Sequence, residues 1–372
     1  MAKLMRAIGL MSGTSMDGID VALIDTDGAQ RAQRGPSATY PYSEALRARL
    51  RAGIGTAAGL QRRQDRPGDL GGLEAELTQL HARALATFLQ TSLPPGKLAT
   101  AGIDIIGFHG HTVLHAPERG LTVQLGDGAA LARATGIDVV YDLRAADVAA
   151  GGQGAPLAPA YHAALLARQA KPVVVVNVGG VANVTWIGAA GDLLAFDTGP
   201  GNALIDDWMQ HRRGLARDED GGLAATGRAR EEVVREYLRH PYFGAPPPKS
   251  LDRNAFTLEL IAGLGDADGA ATLTAFTAQS IARAREHFPE QPRLWVVCGG
   301  GRRNKTLMAM LAGWVEAAVA PAEAAGIDGD ALEAEAWGYL AVRSRQGLPI
   351  TFPGTTGAPA PLPGGILAVA AR

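Results

Sequence analysis

The residues best suited to chemistry in this 372-residue chain are small, polar and grouped between glycines. Ser12-Gly13-Thr14-Ser15-Met16-Asp17-Gly18 combines glycine with hydroxyl side chains and runs on into Ile19-Asp20. Such a turn offers backbone N–H groups and Oγ atoms to an anion. Asn177-Val178-Gly179-Gly180 is a second small-residue turn, and Gly299-Gly300-Gly301, followed by Asn304, is a third. Any one of them alone reads equally well as a turn that binds nothing. Three in this order point to a nucleotide held in pieces, with phosphates on the first two and ribose or adenine against the third. A helix beginning just after Gly301 would add its N-terminal dipole.

Asp197 ends the apolar run 193–196 and enters Thr198-Gly199-Pro200-Gly201-Asn202. An acid at a strand end above a tight turn can act as a general base or a magnesium ligand, or simply brace the turn. Asp142, Arg144, Asp147 and Gln153 crowd the stretch 142–157. Polar groups at that density suit a sugar, and equally a solvated loop. His109, His111 and His115 form an H-x-H-x-x-x-H pattern. On a strand the first two would share a face, as zinc ligands do, but no carboxylate is placed to complete the set. Imidazoles that hydrogen-bond or line a cleft are the other reading.

These groups need strands and helices to hold them. The runs 8–11 and 21–24 read as strands on either side of the first turn, and 173–187 repeats that strand–turn–strand layout. The weak repeat predicts two similar domains facing a cleft, divided as 1–170 and 171–372, with the break near Lys171-Pro172 because proline disfavours helix before it. Helices are predicted over 73–93, 131–135, 158–166, 272–286 and 332–343, the last two amphipathic and the last packing near the cleft. Further strands are predicted over 103–108, 139–142 and 294–298. The segments 53–72 and 353–365 read as loops, rich in glycine and proline. Alternating strands and helices place the chain in the α/β class.

Composition narrows the function. Net charge is −2, which argues against sequence-independent nucleic-acid binding. No apolar run approaches the roughly 18 residues of a membrane span, and the first residues lack a signal-peptide core, so no membrane partner and a cytoplasmic location are expected. Cys298 is the only cysteine, which excludes an intrachain disulfide and paired-cysteine metal sites. There is no G-x-x-x-x-G-K-[ST] loop and no G-x-S-x-G elbow.

Taken together, the motifs resemble the anhydro-N-acetylmuramic acid kinases of the acetate and sugar kinase–Hsp70–actin superfamily. The resemblance covers nearly the whole chain. It rests on residues 9–18, Gly110-His111-Thr112, 147–157, 177–183, 196–202 and 298–304. It implies two ribonuclease-H-like domains around a nucleotide cleft, ATP with Mg2+, a small anhydrosugar substrate, a role in cell-wall recycling and a homodimer. By position, Gly13 to Asp20 would hold the ATP phosphates, with Asn177, Gly179 and Gly180 as the matching turn. Gly299, Gly300, Gly301 and Asn304 would border the adenosine, and Asp197 would be the catalytic base. Glu333 matches a substrate-pocket glutamate, and His109, His111, Asp142, Arg144, Asp147 and Gln153 are the other sugar-facing candidates. The family commonly has glutamine where this chain has His111.

The implied reaction opens an internal acetal. Asp197 takes a proton from water attacking C1, O6 leaves C1, and the γ-phosphoryl group lands on O6 to give the 6-phosphate of N-acetylmuramic acid. A levoglucosan-type kinase would use the same chemistry. An ATP-switched protein of the actin or Hsp70 type and a histidine-based metal hydrolase are the readings from other classes.

Overall fold

The computed structural model describes residues 3–13, 15–92 and 102–371, so Thr14 and Leu93 fall outside it. The chain forms two compact units. One comprises Met1–Ala167 with Ala331–Arg372, and the other Arg168–Asp330. The expected second domain running to residue 372 therefore ends at Asp330, and the last segment returns to the first unit.

The first unit is built on a mixed sheet. Its strands are β1 (Met5–Ser12), β2 (Gly18–Thr26), β3 (Ala32–Pro41), β4 (Ile105–Ala116), β5 (Leu121–Leu125) and β6 (Val139–Tyr141). The spatial order is β3-β2-β1-β4-β6, with β5 pairing β4. β1, β2 and β3 are antiparallel neighbours, while β4 runs parallel to β1 and β6 parallel to β4. Three antiparallel strands continued by two parallel ones is the arrangement expected of a ribonuclease-H-like sheet. Helices Glu44–Ala57 and Leu70–Ser92 supply the apolar stripe against the sheet residues Ile8, Leu10 and Phe108, through Leu46, Leu50, Leu73, Leu77 and Phe88. Ser43 caps the first of these helices by accepting from the Leu46 N–H. The predicted loop 53–72 is thus largely helical at both ends. Gly53 is buried inside its helix, where a Cβ would stand 3.0 Å from Leu73. It marks close helix packing rather than a turn.

Helix Leu332–Arg345 packs against β1, β2 and β4. Three glycines allow it to lie almost on the sheet backbone. A Cβ on Gly9 would fall 1.6 Å from the Ala334 carbonyl oxygen, one on Gly107 would fall 2.0 Å from that of Trp337, and Gly338 faces Ile24 and Gly9 from the helix side. The predicted amphipathic helix is instead buried from Ala334 through Val342, because it is covered on more than one side. A short strand, Ile366–Ala368, closes the edge against β6.

The second unit repeats the sheet. Here β7 (Val173–Val178), β8 (Val181–Ile187), β9 (Leu193–Pro200), β10 (Leu294–Cys298) and β11 (Ala318–Pro321) lie in the order β9-β8-β7-β10-β11, and the C-terminal strand of the first unit is β12 (Ile366–Ala368). β7, β8 and β9 are antiparallel, and β10 and β11 run parallel to β7. The internal repeat is therefore a repeat of topology. Helix Asp266–Arg283 is buried along most of its length and shares a core with Val176, Val184, Trp186, Phe196 and Trp295. Among the described residues no helix is long and apolar enough to cross a membrane.

Candidate active site

In the first unit the β1–β2 turn is closed by the Met16 N–H donating to the Gly13 carbonyl (3.0 Å), with Met16 at φ 59°. Ser15 and Asp17 are exposed. A Cβ on Gly13 would meet nothing closer than 3.6 Å, and the fold itself does not require glycine there. Gly18 and Ile19 serve the fold instead. A Cβ on Gly18 would fall 2.3 Å from the Tyr40 carbonyl oxygen, and Ile19 is in the core. Asp20 accepts from the Thr39 hydroxyl at 2.6 Å.

The turn is supported from below. Tyr42 donates to Ser12 Oγ (2.7 Å), which meets His111 Nδ1 at 2.9 Å. Ser12 and His111 are wholly buried. Burial pushes the Tyr42 hydroxyl up to about 12 and the His111 imidazole down to about 4. His111 thus acts on the turn through Ser12. Its Nε2 and that of buried His81 have no hydrogen-bond partner among the described residues.

His109 and His111 do not form the zinc-like pair the alternation suggested. Gly110 takes φ 71°, and the register of β4 against β1 shifts between Leu10 and Ser12, which breaks the two-residue alternation. His109 lies 4.5 Å from the Trp337 ring and donates from Nδ1 to the Gly110 and Ser12 carbonyls. Its Nε2 accepts from Arg144 at 3.2 Å. Burial and Arg144 hold it neutral. Arg144 also donates to the Gly154 carbonyl (2.8 Å) and stacks 5.0 Å over Trp337. Glu333, open to solvent, has its carboxyl raised by the protein around it, with Arg144 opposing and Asp20 adding. His109, Arg144 and Glu333 are therefore neighbours, as a sugar-facing group would require.

Asp142 adopts φ 57° and pairs with Arg63. With His109 it lines a cavity of about 230 Å3 that also includes Gln124 and Tyr141. Asp147 is buried and spends one oxygen on its own loop and the other on a distant segment. One accepts from the Gly154 N–H (2.6 Å) and the other from the Thr356 hydroxyl (2.7 Å). It shapes the 151–154 stretch. Gln153 is anchored there by its backbone N–H on the Thr356 carbonyl at 2.7 Å.

In the second unit the C-terminal ends of β7 and β10 lie side by side, with Asn177 opposite Cys298. Gly179 and Gly180 follow one strand, and Gly299 to Gly301 the other. The Gly179 and Gly180 carbonyls accept from the N–H groups of Asn202 (2.7 Å) and Gly201 (2.9 Å). Gly180 and Gly300 are exposed, and a Cβ on either would meet nothing closer than 3.7 Å. Gly299 and Gly301 are packing glycines, pressed on Asn177 and Val178. Asn304 caps the helix Lys305–Trp314 by accepting from the Leu307 N–H at 2.9 Å.

Asp197 is inside β9, which continues to Pro200, so the expected turn begins later. The register shifts between Ala182 and Asn183, leaving Thr198 as an extra residue beside it. One carboxylate oxygen accepts from the Leu251 N–H at 2.8 Å. Burial raises the group to about 6, against the pull of that hydrogen bond.

A family model described as anhydro-N-acetylmuramic acid kinase matches residues 5–368. The chain is 56% identical over 362 residues to the anhydro-N-acetylmuramic acid kinase of Rhodospirillum rubrum, covering 96% of this chain and 93% of that one. It is 54% identical over 370 residues to that of Azorhizobium caulinodans, covering 98% and 99%. The chain belongs to the anhydro-N-acetylmuramic acid kinase family.

Among the described residues no group of three His, Cys, Asp or Glu is arranged to hold a metal ion. A nucleotide-bound Mg2+ needs only one or two carboxylates beside phosphates and waters, so it requires no such cluster. Several residues around the candidate site escaped the sequence reading. Trp337, Tyr42, Tyr242, Lys249 and Leu251 touch candidate residues from distant segments. The one signal available was the run Pro246-Pro247-Pro248-Lys249, a stiff loop between helical segments.

Proposed function

We propose that the protein uses ATP to phosphorylate O6 of 1,6-anhydro-N-acetylmuramic acid while water opens the anhydro ring, yielding N-acetylmuramic acid 6-phosphate for cell-wall recycling. The observation that carries this reading is Asp197, a half-buried acid with one oxygen on the Leu251 N–H and the other without a hydrogen-bond partner among the described residues. At about 6 it is ionised at neutral pH yet basic enough to accept a proton. Asp197 takes the proton of a water attacking C1. O6, which carries no proton of its own, leaves C1 as it gains the phosphoryl group.

The glycines with room for a side chain are assigned to the nucleotide. Gly13, Gly179, Gly180 and Gly300 lack a packing reason to be glycine. Backbone N–H groups without side chains can approach phosphate closely. Mg2+ comes with the nucleotide substrate in this reading, coordinated mainly by its phosphates. Arg144, Glu333 and His109 are assigned to the sugar, with Arg144 the candidate partner for the lactyl carboxylate. Asp142 is placed with them on the shared cavity, while Asp147, Gln153 and His111 act by shaping the segments that carry them.

The test is ³¹P NMR of the protein with Mg-ATP and 1,6-anhydro-N-acetylmuramic acid, beside a tube with levoglucosan. A sugar-phosphate resonance with ADP in the first tube alone is expected. Turnover of levoglucosan alone would overturn the substrate assignment, and no sugar phosphate in either tube would overturn the kinase reading.

A further inference from the structure

Asp197 is held by a segment that the reaction scheme leaves unused. Its backbone N–H donates to the Lys249 carbonyl at 3.0 Å. Its backbone carbonyl accepts from the Tyr242 hydroxyl at 2.5 Å. Its side chain accepts from the Leu251 N–H. Three contacts thus come from residues 242–251, on three different groups of one residue.

Internal backbone pairing in that segment ends at the Ala245 N–H on the Tyr242 carbonyl (3.2 Å). Pro246, Pro247 and Pro248 have no N–H to donate. The Lys249 side chain closes the gap: Nζ donates to the Tyr242 carbonyl (3.0 Å) and the Phe243 carbonyl (3.4 Å), and lies 4.8 Å over the Tyr242 ring. His287 Nε2 faces it at 3.5 Å. Arg283 and Glu286 are the other charged groups that act on it, with opposite signs. Lys249 makes no ion pair with Asp197. It is a clip between the two ends of the segment, with its ammonium on carbonyls.

We propose that residues 242–251 form a strap that positions Asp197, with Lys249 as the residue that keeps it closed. The inference rests on Asp197 being the general base. Opening the strap frees the Leu251 N–H and lets the carboxylate swing from its attacking water, and a misplacement of about 1 Å can cost ~10²-fold in rate. Lys249 and Tyr242 are positioning residues: neither needs to touch substrate.

Steady-state kinetics over a range of pH on Lys249→Met, Lys249→Arg, Tyr242→Phe and Asp197→Asn test it, with thermal unfolding to confirm folding. Lys249→Met should lower kcat roughly tenfold to a hundredfold with KM for both substrates little changed. Its acid limb should move to higher pH, because the Leu251 N–H that lowers Asp197 is lost. Lys249→Arg should recover part of the loss, since guanidinium can still reach the two carbonyls. Tyr242→Phe keeps the ring and should show the same pattern more weakly, even where Lys249→Met does not fold. Wild-type kcat and acid limb in Tyr242→Phe and in folded Lys249→Met, with Asp197→Asn inactive, would overturn the strap and leave the base. Full activity in Asp197→Asn would overturn both.

Discussion

A carboxylate that titrates near 6 is poorly suited to stability and well suited to accepting a proton. Burial raises Asp197 above the usual aspartate value, so the folded protein binds that proton more tightly than the unfolded chain. Its favourable contribution is complete at low pH and is lost as pH rises from the ordinary aspartate range through about 6. Asp197→Asn should therefore unfold at a higher temperature than the parent at pH 8, with the gain vanishing near pH 3. The same variant should lose roughly 10²–10⁴ in kcat, the usual share of a general base. A calorimetric scan at the two pH values and one rate measurement check both halves. The parent's kcat/KM should fall below about pH 6. His111 contributes nothing to that limb, because burial holds it near 4. His111→Gln should leave the pH profile unchanged between pH 5.5 and 9. A displaced limb in that variant would give His111 a direct part in the titration.

At the scale of elements, glycine has two separable uses in this chain. Gly9 and Gly107 let helix Leu332–Arg345 lie on the strand backbone, with no room for even a methyl group. Gly13 has that room and nothing in the fold to fill it. Gly107→Ala should push the helix off β4 and cost several kcal/mol, as overpacking of a filled core does (about 1–3 kcal/mol, occasionally more). Gly13→Ala should leave the melting temperature close to the parent's and weaken ATP binding roughly tenfold, ~1.4 kcal/mol. Urea unfolding and nucleotide titration of the two variants separate the roles. Equal ATP affinity in Gly13→Ala would remove that turn from the phosphate site. The two β-bulges belong to the same scale. At Gly110 and at Thr198 an irregular residue re-aims the side chains beside it, which is why His109 and His111 part company and why Asp197 can meet the strap.

The whole molecule is two units, one of them assembled from both ends of the chain. Helix Leu332–Arg345 contributes Ala334, Trp337, Tyr339 and Leu340 to the interior of the first unit. A chain ending at residue 330 would expose the sheet surface around Gly9 and Gly107. It should fail to fold its first unit and give little soluble protein, although residues 1–167 are all present. A well-dispersed NMR spectrum for the first-unit residues of that truncation would contradict this assembly.

The short-range information in the sequence determined a good deal. Apolar runs bounded by small residues marked β1, β2, β7, β8 and β10, and the three glycine turns fell where they were expected, because a strand and its turn are set by neighbours a few residues apart. The family was also legible, since its motifs are contiguous stretches. The roles of individual residues inside those motifs were not. Gly13 and Gly107 look alike as letters, and only the tertiary structure separates the one with room for a side chain from the one pressed on Trp337. Asp147 looked like a sugar ligand until its oxygens were found on Gly154 and Thr356. Leu251 lies 54 residues from Asp197, and helix Leu332–Arg345 packs back against the first strand. Contacts at such separations depend on which surfaces the sheets bury together, and no local pattern of hydrophobicity or turn chemistry encodes that choice.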